Sequence, residues 1–96
     1  MSFVLVVRMT ALEGKEEEAV AAMHELAEAT RKEPGNELYI PSRDPENPRS
    51  LLFYEQYADK AAFEAHGASD HFKELGPGKL FTLVEDGRER SFYETL

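Results

Sequence analysis

The sequence predicts an α+β fold of the ferredoxin-like type, ordered βαββαβ, with an antiparallel sheet and its helices on one face. Three observations carry this expectation. Short apolar and β-branched runs recur four times along the chain. A long stretch with helically spaced apolar residues follows the first run, and a shorter, interrupted one follows the third. The 96 residues form one small domain, 1–96, with no internal repeat, linker or low-complexity segment.

"SFVLVVRM" (2–9) is β-branched and apolar, and reads as a strand buried on both faces. "EGKEEEAVAAMHELAEATRKE" (13–33) reads as a helix. Glu16, Glu17 and Glu18 favour its positive N-terminal end, and Arg31 and Lys32 its negative C-terminal end. Ala19, Val20, Met23, Leu26, Ala27 and Thr30 form its less polar stripe, and Pro34-Gly35 stops it. "NELYIPS" (36–42) alternates as a strand, with Pro41 placing its end at an edge or bend. After the polar connection "SRDPENPRS", "LLFYEQY" (51–57) is the clearest strand. Asp59 caps a short helix that runs to His66 and ends at Gly67; Ser69 caps a second, "DHFKEL". "KLFTLVED" (79–86) reads as the last strong strand, and the tail "GRERSFYETL" continues it after a turn at Asp86-Gly87.

Both sides of the first strand are apolar. In the third, Leu51, Phe53, Glu55 and Tyr57 point one way and Leu52, Tyr54 and Gln56 the other. Helices on one sheet face leave an apolar face to cover, so a homodimer with the sheets packed face to face is expected. The 11 basic and 19 acidic residues give a net charge of −8, which disfavours nucleic acid and anionic membranes as partners. Cysteine is absent, so there is no disulfide and no thiolate nucleophile, which fits a cytoplasmic location. The apolar run Phe3 to Val7 is too short for a membrane span or a signal-peptide core.

"LLFYEQYADKAAFEAHGASDHFKEL" (51–75) resembles the signature stretch of the antibiotic-biosynthesis monooxygenase family, with Glu55, Tyr57, Asp59, Ala61-Ala62, His66, Ser69, His71 and Phe72 at the matching places. "EPGNELY" and "RDPENPRS" resemble the family's second strand and hairpin, so the resemblance covers roughly residues 3 to 85. It implies a dimeric α+β barrel with a pocket between helices and sheet in each subunit. Members of the family include cofactor-independent oxygenases of quinols and phenols, haem-degrading enzymes and a quorum-signal isomerase. The haem branch is not matched: its asparagine, tryptophan and histidine positions hold Val7, Tyr57 and Gly76 here. No cofactor is therefore expected.

Each candidate residue has a functional and a plain reading. His66 is either a base for a phenolic or enolic proton or a helix C-terminal histidine bonded to a carbonyl. His71 reads first as a helix-cap or surface residue, and second as a substrate contact. His24 reads as solvent-facing. His66 and His71 are five positions apart, about 140° around a helix, so no metal site is expected from them. Glu55 and Tyr57 share the strand face toward the helices. There Glu55 either bonds to helix backbone or to His66, or fixes the imidazole tautomer for catalysis. Tyr57 and Tyr39 are aromatic walls or phenol donors. Asn36 is explained by turn chemistry, with a pocket amide as its other role. Arg8 pairs with an acid such as Glu55 or binds an anionic substrate group. Phe53, Phe63, Phe72 and Phe81 supply an apolar lining.

The resemblance implies a cofactor-independent monooxygenase that oxidises a small quinol or phenol with dioxygen, using His66, Tyr57 and Glu55. An isomerase of a small, phosphorylated or unphosphorylated hydroxy-dione acting through an enediol needs the same base and oxyanion donors. The third reading is a non-catalytic dimer that binds a small metabolite.

Overall fold

The β-branched run near the N-terminus becomes the central strand of the protein. A computed structural model describes residues 1–96. It contains β1 (Phe3–Thr10), α1 (Glu16–Thr30), β2 (Asn36–Asp44), β3 (Asn47–Tyr57), α2 (Lys60–Ala68), α3 (Asp70–Leu75), a single 3₁₀ turn (Leu80–Thr82) and β4 (Glu89–Glu94). The four strands form one antiparallel sheet in the order β2-β3-β1-β4, the expected ferredoxin-like α+β arrangement.

Strand parity explains the core. Leu5, Val7 and Met9 of β1 share a sheet face with Leu51 and Phe53 of β3. Ala19, Ala22, Met23, Leu26 and Ala27 of α1 pack onto that face. The small alanines let the helix approach closely, and each large side chain buried in this layer contributes roughly 1.5–3 kcal/mol. The opposite face bears no helix. Leu38, Ile40 and Tyr93 remain 42%, 43% and 57% exposed there, beside Val6 and Tyr54.

Several boundaries differ from expectation. The first helix spans Glu16–Thr30 rather than 13–33, so Arg31 is its C-cap, Lys32 lies beyond it and its last turn holds no basic residue. The connection between β2 and β3 is a tight hairpin, because both strands extend to within two residues of each other around Pro45 and Glu46. Pro41 is tolerated because β2 is an edge strand. The first short helix passes through Gly67 to Ala68 before Ser69 breaks it.

The largest correction concerns residues 79–86, which form no strand. Thr82 N–H donates to the Lys79 carbonyl and Leu83 N–H to that of Leu80, which closes the 3₁₀ turn, while Lys79 and Phe81 N–H both donate to the Gly76 carbonyl and tie the segment to the end of α3. Its apolar character serves to plug the core: Leu80 and Val84 are buried, and Val84 makes one bridge to Ala11. The fourth strand is instead the polar tail segment 89–94, paired along β1. No helix is long and apolar enough to cross a membrane.

Candidate functional site

Between the helix-facing side of the sheet and α2–α3 lies a cavity of about 110 Å³. Most of its wall is apolar: Leu5, Val7 and Phe53 from the sheet, Leu26 from α1, and Phe63, Phe72 and Phe81 from the segments above. Five polar side chains interrupt that wall: Tyr39, Glu55, His66, Arg88 and Arg90. The exposed members Gly67, Arg88 and Arg90 mark its mouth.

His66 reaches the cavity because two local features set α2 in place. Asp59 caps the helix by accepting from Ala62 N–H at 2.8 Å. Gly35 then allows contact between α2 and the turn after α1, since a Cβ on Gly35 would fall 2.4 Å from Ala62 Cβ. That contact brings Glu33 to His66. His66 Nδ1 lies 2.7 Å from Glu33 Oε2, so Nδ1–H donates to the carboxylate and the Nε2 lone pair is left without a protein partner. The ring packs against Phe72, Tyr57 and Tyr39, with centroids 4.9, 5.4 and 5.6 Å away. Burial lowers the imidazole pKa, and the Glu33 carboxylate opposes that shift. The neutral ring is thus favoured, with one basic nitrogen free.

Glu55 is buried on the sheet side. Its Oε1 accepts a 2.6 Å hydrogen bond from the Tyr57 hydroxyl. Burial raises its pKa to about 7 against the lowering effect of that bond. Burial also raises the Tyr57 and Tyr39 phenols well above their usual range, with the Glu55 charge next in importance. Both phenols therefore keep their protons at neutral pH, and that of Tyr57 donates to Glu55. Thr30 Oγ1, buried nearby, reaches no partner in good hydrogen-bonding geometry, although it is close enough to influence the Tyr39 phenol.

Arg88 and Arg90 were not singled out from the sequence. The Arg88 guanidinium lies over Phe81 at 3.6 Å and Arg90 over Phe92 at 5.3 Å. Neither belongs to any of the ion pairs in the molecule. Desolvation, and then Arg90, lowers the Arg88 pKa. Two unpaired guanidiniums at an apolar mouth offer docking for an anionic group.

Of the residues expected at the site, His66, Glu55, Tyr39, Phe53, Phe63 and Phe72, with Phe81, line the cavity. Tyr57 stands behind Glu55 and His71 behind His66, and neither lines it. Asn36 is spent on structure: its amide donates to the Leu38 carbonyl at 3.0 Å and weakly to that of Gln56 at 3.4 Å. Arg8 is absent from the cavity. It opposes Leu52, whereas Glu55 opposes Leu5, so period-two alternation puts Arg8 and Glu55 on opposite sheet faces. Glu55 bonds to neither helix backbone nor His66, because Tyr57 on the same face is nearer.

The spacing argument against convergence of the two histidines does not hold in three dimensions. Ser69 has an extended backbone (φ −71°, ψ 150°) between α2 and α3, so the two residues do not share one helix. Its hydroxyl donates to the His66 carbonyl at 2.6 Å and caps α3 by accepting from Phe72 N–H at 3.2 Å. His71 Nε2 folds back to 2.5 Å from Glu33 Oε2. Donor atoms of Glu33, His66 and His71 all lie within 4.8 Å of one another, a set able to ligate a metal.

No functionally curated protein matches the chain. Solved structures do. A conserved protein from Methanosarcina mazei is 28% identical with a TM-score of 0.91, covering 100% of this chain and 94% of that one. A Shewanella oneidensis protein is 32% identical with a TM-score of 0.87, covering 96% and 88%. A Pseudomonas aeruginosa protein at 24% identity shares the fold, with a TM-score of 0.88 and coverage of 99% and 94%. Residues 2–76, more than three quarters of the chain, match the antibiotic biosynthesis monooxygenase domain, and the protein belongs to that family.

Proposed function

We propose that the protein is a cofactor-independent monooxygenase that oxidises a small quinol or phenol with dioxygen, and that it works as a homodimer. The observation that carries this reading is His66. It sits in the wall of an apolar cavity, with Nδ1 held by Glu33 and Nε2 free to accept a proton. His66 Nε2 takes the phenolic proton. The resulting anion passes one electron to dioxygen, and the organic radical and superoxide combine to form a carbon–oxygen bond. His66 returns its proton to the peroxide anion, and the peroxide-bearing carbon then loses its C–H proton as the O–O bond breaks, leaving one oxygen on the substrate as a carbonyl and releasing the other with the two protons as water. The Tyr39 phenol and the guanidiniums of Arg88 and Arg90 stabilise the developing oxyanions, while the phenylalanine wall excludes water. Tyr57 holds Glu55 and so acts as a positioning residue. At about 110 Å³ the cavity is smaller than the ~150 Å³ that accepts one aromatic ring, so a reacting ring enters only if side chains at the mouth, where Arg88 and Arg90 are exposed, give way.

The test is oxygen uptake with naphthohydroquinones above the autoxidation blank. His66→Ala should lower the rate by about 10²- to 10⁴-fold with circular dichroism unchanged; an unaltered rate removes the base role. The two free arginines favour one competing reading, an isomerase of an anionic hydroxy-dione acting through an enediol. That enzyme turns over without oxygen, so anaerobic activity on such a dione decides for it. Failure of both assays with tight ligand binding retained leaves the non-catalytic reading. The homodimer is supported by the uncovered apolar sheet face around Ile40 and Tyr93. Sedimentation at micromolar concentration should give twice the chain mass.

A further inference from the structure

We propose that Glu33, His66 and His71 form a binding site for a divalent transition-metal ion of the zinc, nickel or copper type, and that occupancy removes the free basic nitrogen of His66 from the cavity. The site is assembled from three separate elements: the turn after α1, α2, and α3. In the structure a single carboxylate oxygen, Glu33 Oε2, lies within hydrogen-bonding distance of both imidazoles, at 2.7 and 2.5 Å. An ion with bonds of about 2.0–2.1 Å in tetrahedral geometry holds its ligand atoms roughly 3.3 Å apart. The two carboxylate–imidazole pairs therefore need to open by less than about 1 Å, and the two imidazole nitrogens already lie within 4.8 Å of each other.

The parts differ in freedom to make that movement. His66 is fixed, with its side chain 3% exposed, while Glu33 and His71 are 14% and 30% exposed. Ser69, bonded to the His66 carbonyl and 3.2 Å from His71 Nε2, sets the spacing of the two histidines. A surface depression lined by Ala29, Lys32, Glu33, Pro34 and His71, none of which lines the cavity, reaches two members of the cluster from solvent. The ion has an access path there, and water can complete its coordination. Two imidazoles and one carboxylate match zinc, nickel and copper, and match poorly the all-oxygen preference of magnesium and calcium.

The consequence for His66 follows from imidazole chemistry. A neutral ring carries one proton. A metal on Nδ1 forces that proton onto Nε2, which changes from acceptor to donor. The ion and the base role of His66 thus exclude each other.

Calorimetric titration with zinc chloride and with nickel chloride tests the site without reference to any turnover. The wild-type chain should bind one ion per chain and melt at a higher temperature in its presence. His71→Ala and Glu33→Gln should weaken binding by about 100-fold or more, by analogy with the 10–100-fold loss on removing even an outer-shell partner. His24→Ala should bind as wild type, since His24 is exposed on α1 away from the cluster. Absence of saturable binding in wild type, or binding that survives His71→Ala and disappears in His24→Ala, overturns the site. Nitrogen-15 shifts of His66 supply the second arm: zinc should move the ring proton from Nδ1 to Nε2, and an unchanged tautomer in the zinc-saturated chain overturns the exclusion. Because Glu33 and His71 are only partly buried, comparable melting of the metal-free variants is expected and serves as the folding control.

Discussion

Two carboxylates flank the same cavity wall and are held by different means. Glu55 is buried on β3 with a phenol as its hydrogen-bond donor, and burial raises its pKa to about 7. Glu33 sits at the rim, in the turn after α1, facing two imidazoles. The first is shaped by desolvation and the second by geometry. Glu55 is thus a pH-sensitive weight on the fold, whereas Glu33 is a device that orients other groups.

Replacing Glu55 should give the largest effect on stability. The folded pKa lies above the usual carboxylate value, so the folded state holds its proton while the unfolded chain gives it up. Stability is therefore full below about pH 4.5, falls as pH rises toward 7, and stays low above it. The lost contribution is on the order of 3 kcal/mol. Glu55→Gln does not ionise. Its melting temperature should exceed that of wild type by roughly 10 °C or more at pH 8, with the gap closing at pH 4.5. A gap of the same size at both pH values would mean that Glu55 is not desolvated as the structure implies.

Tyr57→Phe sharpens the comparison from the donor side. It removes the phenol that supports the Glu55 anion, at a cost of about 1–3 kcal/mol at pH 8. The cost should shrink at pH 5, where the carboxyl is protonated in the folded state. Denaturant unfolding at the two pH values checks this.

The rim cluster should respond least. Ser69→Ala deletes the α3 cap and the bond to the His66 carbonyl, for about 1 kcal/mol. This loss should be the same at pH 5 and pH 8, as measured by urea unfolding, because no carboxylate is left unpaired. A loss that grows at pH 8 would mean that the rim behaves like the interior.

Much of this molecule was legible from local physics. The β-branched run of β1, the alanine stripe of α1, the alternation of β3 and the caps Asp59 and Ser69 are all short-range patterns, and all lie where expected within a few residues. Parity alone put Glu55 and Tyr57 on one strand face with Leu51 and Phe53, since period two needs no partner to be known; that this face meets α1 is a property of the packed fold. Resemblance in residues 51–75 added His66. Residues 79–86 were misread because a short apolar run looks alike as a strand or as a core plug, and only the turn bonds around Gly76 to Leu80 and the burial of Leu80 and Val84 choose between them.

What the chain determined by itself were the elements up to α3, their apolar faces and the family. What only the tertiary structure decided were the encounters. Glu33 meets His66 and His71 at sequence separations of 33 and 38 residues, because the Gly35 backbone accepts α2 at close range. Arg88 and Arg90 reach the cavity because the tail, and not residues 79–86, supplies the fourth strand. Periodicity and capping act over a few residues and can be read along a line. Contacts between distant segments depend on how whole elements stack, and that follows from packing the core.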